Sequence, residues 1–370
     1  MPKSIFFICV LLLSNQSSLK AEKVLVDSYY GDYISSLKSI GKPSTSLKIQ
    51  ANQEWQFSPK LKNNYSIAIL LPHLNDSYWL AINYGLLKQS KNAGISFQLK
   101  ISKNYYDLWT HRQQLIDISK QNVDGVIIAS LDYKKFDSYI EAIREKGIPV
   151  VALVNDIQAS TISAKSMVSF YDMGYQTGSY FLDSLTKGPV RVAFFPGPIG
   201  SGWAKDSFEG FKKAIEEKNK QKIEIEILPP WYADTSIETQ ATMMKRALHS
   251  PQKIDYFIGN AVMAEIAKTE LEAAGNQHIK TISTYITPNV FIQIQKGYVL
   301  GAPTDFPLLQ ARLAIDLLQK IIQGGKLGSD IPFRVSPQIG LITRENIKNF
   351  TYEDLFGDKE FKPVLFYSPE

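Results

Sequence analysis

Cysteine is almost missing from the sequence: Cys9 is the one such residue in 370, so no disulfide can form within the chain. Disulfide-stapled scaffolds are thereby excluded, and a chain this long can bury one large core or two medium ones without a staple. Histidine is scarce as well. His73, His111, His249 and His278 lack the close spacing that gathers a metal ion, and they read as solvated surface residues. Charge of one sign is also lacking, with 41 Lys and Arg against 36 Asp and Glu and no basic-aromatic strip, so a nucleic-acid partner is excluded. No apolar run is long enough to cross a bilayer.

Enzyme signatures are missing too. The glycine-rich "PGPIGSG" (Pro196 to Gly202) has neither the Lys-Ser/Thr ending of a phosphate loop nor the order of a dinucleotide fingerprint, and Ser201 has no nucleophile elbow around it. Nothing in the sequence brings Asp76 and Asp305 together as an acid-base pair. The expectation is a protein that is not an enzyme and uses neither cofactor nor metal.

What is present begins with a leader. Lys3, the apolar run Ile5 to Leu13 and "SSLKA" ending at Ala21 read as a secretory signal peptide over residues 1–21, the alternative being a buried first strand. Its removal takes Cys9 with it, which suits an oxidising compartment, and leaves no segment for membrane insertion. Residues 22–64 are polar, with "GKPSTS" and "SPKLKNN" as turn material and Trp55 as the large apolar residue; they read as an irregular extension laid over the first domain.

From there the pattern is regular. "SIAILLP", "VDGVIIAS", "IPVVALVN", "RVAFFPG", "EIEILPP", "IDYFIGN", "IKTISTYI" and "YVLGAPTD" are apolar runs of strand length. Their continuous apolar character means that both faces are covered, the mark of a parallel sheet. Helix-length segments lie between them, closed by Gly94, Gly147 and Gly275 in the position that takes a left-handed residue. This β-α alternation predicts an α/β fold with helices on both faces of the sheets, and the restart after Asn155 predicts two sheets. Gly85 and Gly210 each follow Ser and Trp on the first helix after a strand, which suggests close packing of helix against sheet.

In open parallel sheets ligands bind beyond the carboxyl ends of the strands. Those ends are rich in aromatics: the segments His73 to Trp79, Asn104 to Trp109 and Pro196 to Trp203, together with Asn155, Trp231, Tyr232 and Tyr285, hold four of the five tryptophans. A single ring at a strand end more often packs under its own loop. A gathering of rings between facing domains makes a box whose π faces attract a methylated ammonium group.

The motifs "DSYWLAINYG" (Asp76 to Gly85), "LVN" (Leu153 to Asn155), "MGYQTG" (Met173 to Gly178), "PGP" (Pro196 to Pro198), "EGFKKAI" (Glu209 to Ile215), "TISTY" (Thr281 to Tyr285) and "FKPVLFY" (Phe361 to Tyr367) carry a resemblance. From about Ser66 onward the chain resembles the type I periplasmic binding proteins, and within them the sensors of trimethylamine N-oxide that report to a membrane-bound histidine kinase. The resemblance implies two lobes, each a parallel sheet with helices on both faces, joined by three hinge crossings. Lobe 1 is expected over 65–156 and 287–325 and lobe 2 over 157–286 and 326–370, with hinges near Asp156, Ile286 and Gly325. It further implies a periplasmic location, a sensor-kinase partner, and a small methylated amine held between the lobes by Asp76, Tyr78, Trp79, Tyr106, Phe170 and Tyr285. Phe170 stands where the resembling proteins place a tryptophan. The competing expectation is a protein that delivers a sugar or another small polar solute to an ABC transporter.

Overall fold

The computed structural model describes residues 23–31, 48–159 and 161–369; the expected signal peptide lies outside them. The segment read as an irregular extension opens instead with β1 (Lys23–Tyr30) and β2 (Lys48–Gln56), an antiparallel pair. Its strand character was hidden because β2 is exposed along nearly its whole length and so carries polar residues. Next come β3 (Tyr65–Leu71), α1 (Ser77–Ala93), β4 (Ile95–Ile101), α2 (Leu108–Ile118), β5 (Gly125–Ile128), α3 (Asp137–Arg144), β6 (Val150–Leu153) and β7 (Ala164–Ser166). A second group follows: α4 (Phe170–Asp183), β8 (Val190–Phe195), α5 (Gly202–Lys218), β9 (Ile225–Ile227), α6 (Ile237–Leu248) and β10 (Tyr256–Gly259). It continues with α7 (Ala261–Ala273), β11 (Lys280–Ser283), α8 (Pro288–Lys296) and β12 (Gly301–Thr304). The chain ends through α9 (Pro307–Ile322), β13 (Arg334–Pro337), β14 (Gly340–Thr343), α10 (Tyr352–Phe356) and β15 (Phe366–Tyr367).

The first lobe is built on a nine-stranded sheet in the order β15-β4-β3-β5-β6-β7-β13-β1-β2, parallel from β4 to β13. The second is built on the four parallel strands β11-β10-β8-β9. An antiparallel β12–β14 pair lies beside β11, where the Leu300 N–H donates to Thr281 O at 2.9 Å. Strands β5 and β6 are buried at every residue, as their unbroken apolar sequence predicts.

The structure moves the expected lobe boundaries. The first passage to the second lobe falls at 167–169 rather than near Asp156, because β7 still pairs with β6 and β13. Its sequence, Ala-Lys-Ser, has no apolar run to announce a strand. The return falls at 305–306 rather than near Ile286, since α8 packs on α7 and β12 stays with the second sheet. Most of the segment expected in lobe 2 after Gly325 belongs to lobe 1: β13 pairs with β7 and β1, and β15 pairs with β4. β14 reaches across to β12, and α10 touches α8 through the Phe356–Phe291 ring contact.

Both helix glycines serve close approach, against helices rather than sheet. A Cβ on Gly85 of α1 would lie 2.5 Å from Leu308 O on α9, and one on Gly210 of α5 would lie 1.9 Å from Tyr171 O on α4. The polar first segment is clasped to the first lobe by Asp316 of α9, which accepts from Trp55 Nε1 at 2.9 Å and from the Ser58 N–H at 2.6 Å.

Candidate functional site

The loop after β3 places the first ring pair. Asp76 caps α1, accepting the Trp79 N–H at 3.0 Å, and this fixes the first turn from which Tyr78 and Trp79 project. The loop after β4 supplies Tyr105, and the segments after β8 and β11 supply Trp203 and Tyr285. Gly197 (φ +123°) must be glycine here, because a Cβ would lie 2.4 Å from the Trp203 ring.

These side chains form a closed circuit of ring contacts across both lobes. Centroid separations run His73–Trp79 6.4 Å, Trp79–Tyr78 5.4 Å, Tyr78–Tyr285 5.6 Å, Tyr285–Trp203 5.8 Å, Trp203–Tyr105 6.0 Å and Tyr105–His73 5.7 Å. All but the Tyr105–Trp203 contact are edge-to-face, the arrangement that ring quadrupoles favour. Phe170, the first residue of α4, adds a further ring 6.0 Å from Trp203. A narrow cavity of about 20 Å³ is bounded by Asp76, Tyr78, Trp79, Tyr105, Val154, Asn155, Phe170, Trp203, Thr235 and Tyr285. That is room for about one water-sized group, so the rings stand nearly closed on one another.

The structure thus brings Asp76, Tyr78, Trp79, Phe170 and Tyr285 together and leaves Tyr106 out. Tyr106 is 54% exposed, whereas its neighbour Tyr105, at 5%, points into the pocket. An Asn104 side chain that accepts the Tyr106 N–H at 2.9 Å sets the turn that decides between them. Of the tryptophans at strand ends, Trp79 and Trp203 enter the pocket; Trp109 is exposed and Trp231 is half-buried. His73 and His111 prove to be buried rather than solvated.

Hydrogen bonds hold the first-lobe rings in place. Tyr78 Oη donates to Asp305 Oδ2 at 2.5 Å, and the same oxygen accepts Gln310 Nε2 at 2.7 Å. Asn155 Nδ2 donates to Tyr105 Oη at 3.3 Å and to Ser130 O at 2.8 Å. The next residue back, Val154, has φ +63°, a left-handed conformation that a β-branched residue rarely adopts and that costs about 1–3 kcal/mol. Strain of this kind persists where the surroundings enforce it, and here it turns Asn155 toward Tyr105.

Electrostatically the pocket is acidic and buried. Burial pushes the Asp76 carboxyl up to about 6 against the pull of the Tyr78 and Trp79 N–H groups. Burial likewise raises Asp305 to about 6 and lowers His73 to about 4, so the imidazole is neutral. Among the described residues no His, Cys, Asp and Glu side chains form a group that could hold a metal ion. A box of π faces with one carboxyl and no basic side chain suits a small methylated cation or amine oxide.

Sequence and structure comparisons agree with this architecture. The chain is 27% identical to the periplasmic protein TorT of Escherichia coli (strain K12) over 83% of its length and 86% of that protein's. One similar solved structure is an ABC transporter solute binding protein from a Bradyrhizobium species with bound bis-tris (31% identity, 93% of this chain and 99% of the other, TM-score 0.72). Another is the complex of the TorS sensor domain with TorT in the presence of TMAO (26% identity, 81% of this chain and 99% of the other, TM-score 0.70). The profile described as "periplasmic binding protein domain" matches residues 67–326, well over half of the sequence, and the chain belongs to that family.

Proposed function

We propose that this protein is a periplasmic sensor that binds trimethylamine N-oxide, or a similar small methylated amine, between its lobes and reports to a membrane histidine kinase. The observation that carries the reading is the ring circuit, closed by residues of both lobes around a narrow cavity. Similarity to TorT and to the TorS–TorT complex supports the kinase partner.

The energetics set a ceiling. Trimethylamine N-oxide has about five heavy atoms, and at most about 1.5 kcal/mol for each gives roughly 7.5 kcal/mol, or micromolar affinity at best. A ligand that touches both walls binds the closed arrangement better and shifts the lobe equilibrium by that difference alone.

The similarity to the bis-tris-bound solute binding protein favours a second reading, delivery of a polar amine solute to an ABC transporter. A sugar fits less well, because rings outnumber the side chains able to bridge hydroxyls. A melting panel of trimethylamine N-oxide, betaine, choline and ribose tests the ligand class, since a bound ligand raises the melting temperature by mass action. The first ligand should give the largest rise, and a shift with ribose alone would remove the proposal. Loss of a kinase-dependent reporter on deletion of the gene, with amine uptake intact, separates sensing from transport.

A further inference from the structure

Three carboxyl groups influence one another across the lobe boundary, and one of them, Asp76, lines the ligand space. Asp76 comes from the first lobe, Asp234 and Glu265 come from the second; the charge of Asp234 raises the Asp76 carboxyl, and that of Asp76 raises Glu265. Also facing Asp76 are Tyr105 and His73 of the first lobe and Tyr285 of the second. Among the described residues no lysine or arginine pairs with any of the three acids.

Among the described residues the Asp76 carboxyl is committed only through the backbone N–H groups of Tyr78 and Trp79. His73 Nε2, at 3.9 Å, is beyond hydrogen-bond reach. A carboxylate has about four lone-pair directions, so Asp76 keeps capacity to meet a ligand in the space that it lines.

Two ligand types of nearly the same shape make opposite demands on such a group. A quaternary ammonium ion brings a net positive charge and no acceptor, and the carboxylate attracts it. An amine oxide is neutral overall and presents an acceptor oxygen, which a carboxylate repels and a carboxylic acid O–H satisfies.

We propose that Asp76 determines the specificity of the pocket through one proton, taking a methylated amine oxide as the acid and a quaternary ammonium ion as the carboxylate. The inference rests on reading the pocket as a methylated-amine site. Burial, with the charge of Asp234, already holds the Asp76 carboxyl near 6, so each form is populated within the range in which a periplasmic protein works. Above that point, binding of an amine oxide takes one proton from solvent and places it on Asp76.

Titration calorimetry with trimethylamine N-oxide and with tetramethylammonium, at pH 5 and pH 8 and in two buffers of different ionisation enthalpy, tests this. From pH 5 to pH 8 the affinity for the oxide should fall about 100-fold and that for the cation should rise about tenfold. Binding of the oxide at pH 8 should take up close to one proton. Asp76→Asn should flatten both profiles, and asparagine caps a helix as well as aspartate does; the wild-type proton count stands without the variant. Parallel profiles, no proton uptake with the oxide, slopes that survive in Asp76→Asn, or binding of only one of the two ligands would overturn the proposal and leave the methylated-amine reading standing. Failure of both ligands at both pH values would remove that reading as well.

Discussion

On the first-lobe wall of the pocket the polar atoms of the rings are engaged. Tyr78 donates to Asp305, and Tyr105 accepts from Asn155 and Trp79. On the second-lobe wall Phe170 has no polar side-chain atom, the buried Trp203 Nε1 has no partner, and Tyr285 Oη meets one backbone amide, that of Ala261. One wall is therefore oriented by directional bonds before a ligand arrives, and the other is held by packing, which tolerates displacement. The difference suits a receptor whose second lobe closes over a site that the first has already arranged.

The largest test removes the second wall altogether. A Cβ on Gly174 of α4 would lie 2.0 Å from Ser207 O on α5, so Gly174→Leu should force the two helices apart and cost more than about 3 kcal/mol. Calorimetry should show an early transition for the second lobe while the first persists; a single transition at the wild-type temperature would mean that the helix pair does not carry that wall. Within the first wall, Tyr105→Ala should weaken ligand binding at least tenfold through loss of a caging ring, whereas Tyr106→Ala should leave it within about twofold. The reverse result would redraw the pocket.

Stability under denaturant then compares the walls directly. Tyr78→Phe strips Asp305 of its shortest hydrogen bond and should cost about 1–3 kcal/mol, while Trp203→Phe removes an N–H without a partner and should cost less than about 1 kcal/mol. A larger loss at Trp203 would place the stronger wall in the second lobe.

The smallest effect lies in pH dependence. Asp305 is raised by burial to about 6, above its unfolded value of about 3.9, so the native state holds more protons between those points and stability falls as pH rises from about 4 to about 6. His73, lowered by burial to about 4, acts in the opposite sense and costs stability as pH falls from about 6.5. The two nearly cancel in the wild type. Asp305→Asn should reveal the histidine slope as a greater acid sensitivity than that of the parent.

The apolar strands and the helix stops were legible because each is a local pattern. Strands β7 and β13 were not, since the short Ala-Lys-Ser and Arg-Val-Ser-Pro segments carry no strand signature and form only by pairing with distant chain. At the site, Asp76, Tyr78 and Trp79 were readable from one junction, where a capping residue and two rings coincide. Tyr105 and Tyr106 are consecutive, and an Asx turn decides which points inward. Trp203 and Asn155 stood among the strand ends without any mark to raise them above their neighbours. Val154 and Thr235 gave no signal, because a strained valine and a loop threonine look ordinary until the fold places them.

The strand order has a consequence for how the molecule comes together. Elements α4 to β12 form one uninterrupted stretch, so the second sheet can assemble as soon as that stretch is free. The first sheet joins Val26 to Pro337 and Gln98 to Phe366, pairings that must close loops spanning most of the polypeptide. Until the final residues arrive, β4 and β7 each present an open edge to other chains. Truncation at the carboxyl end should therefore cripple the lobe that lies earliest in the sequence.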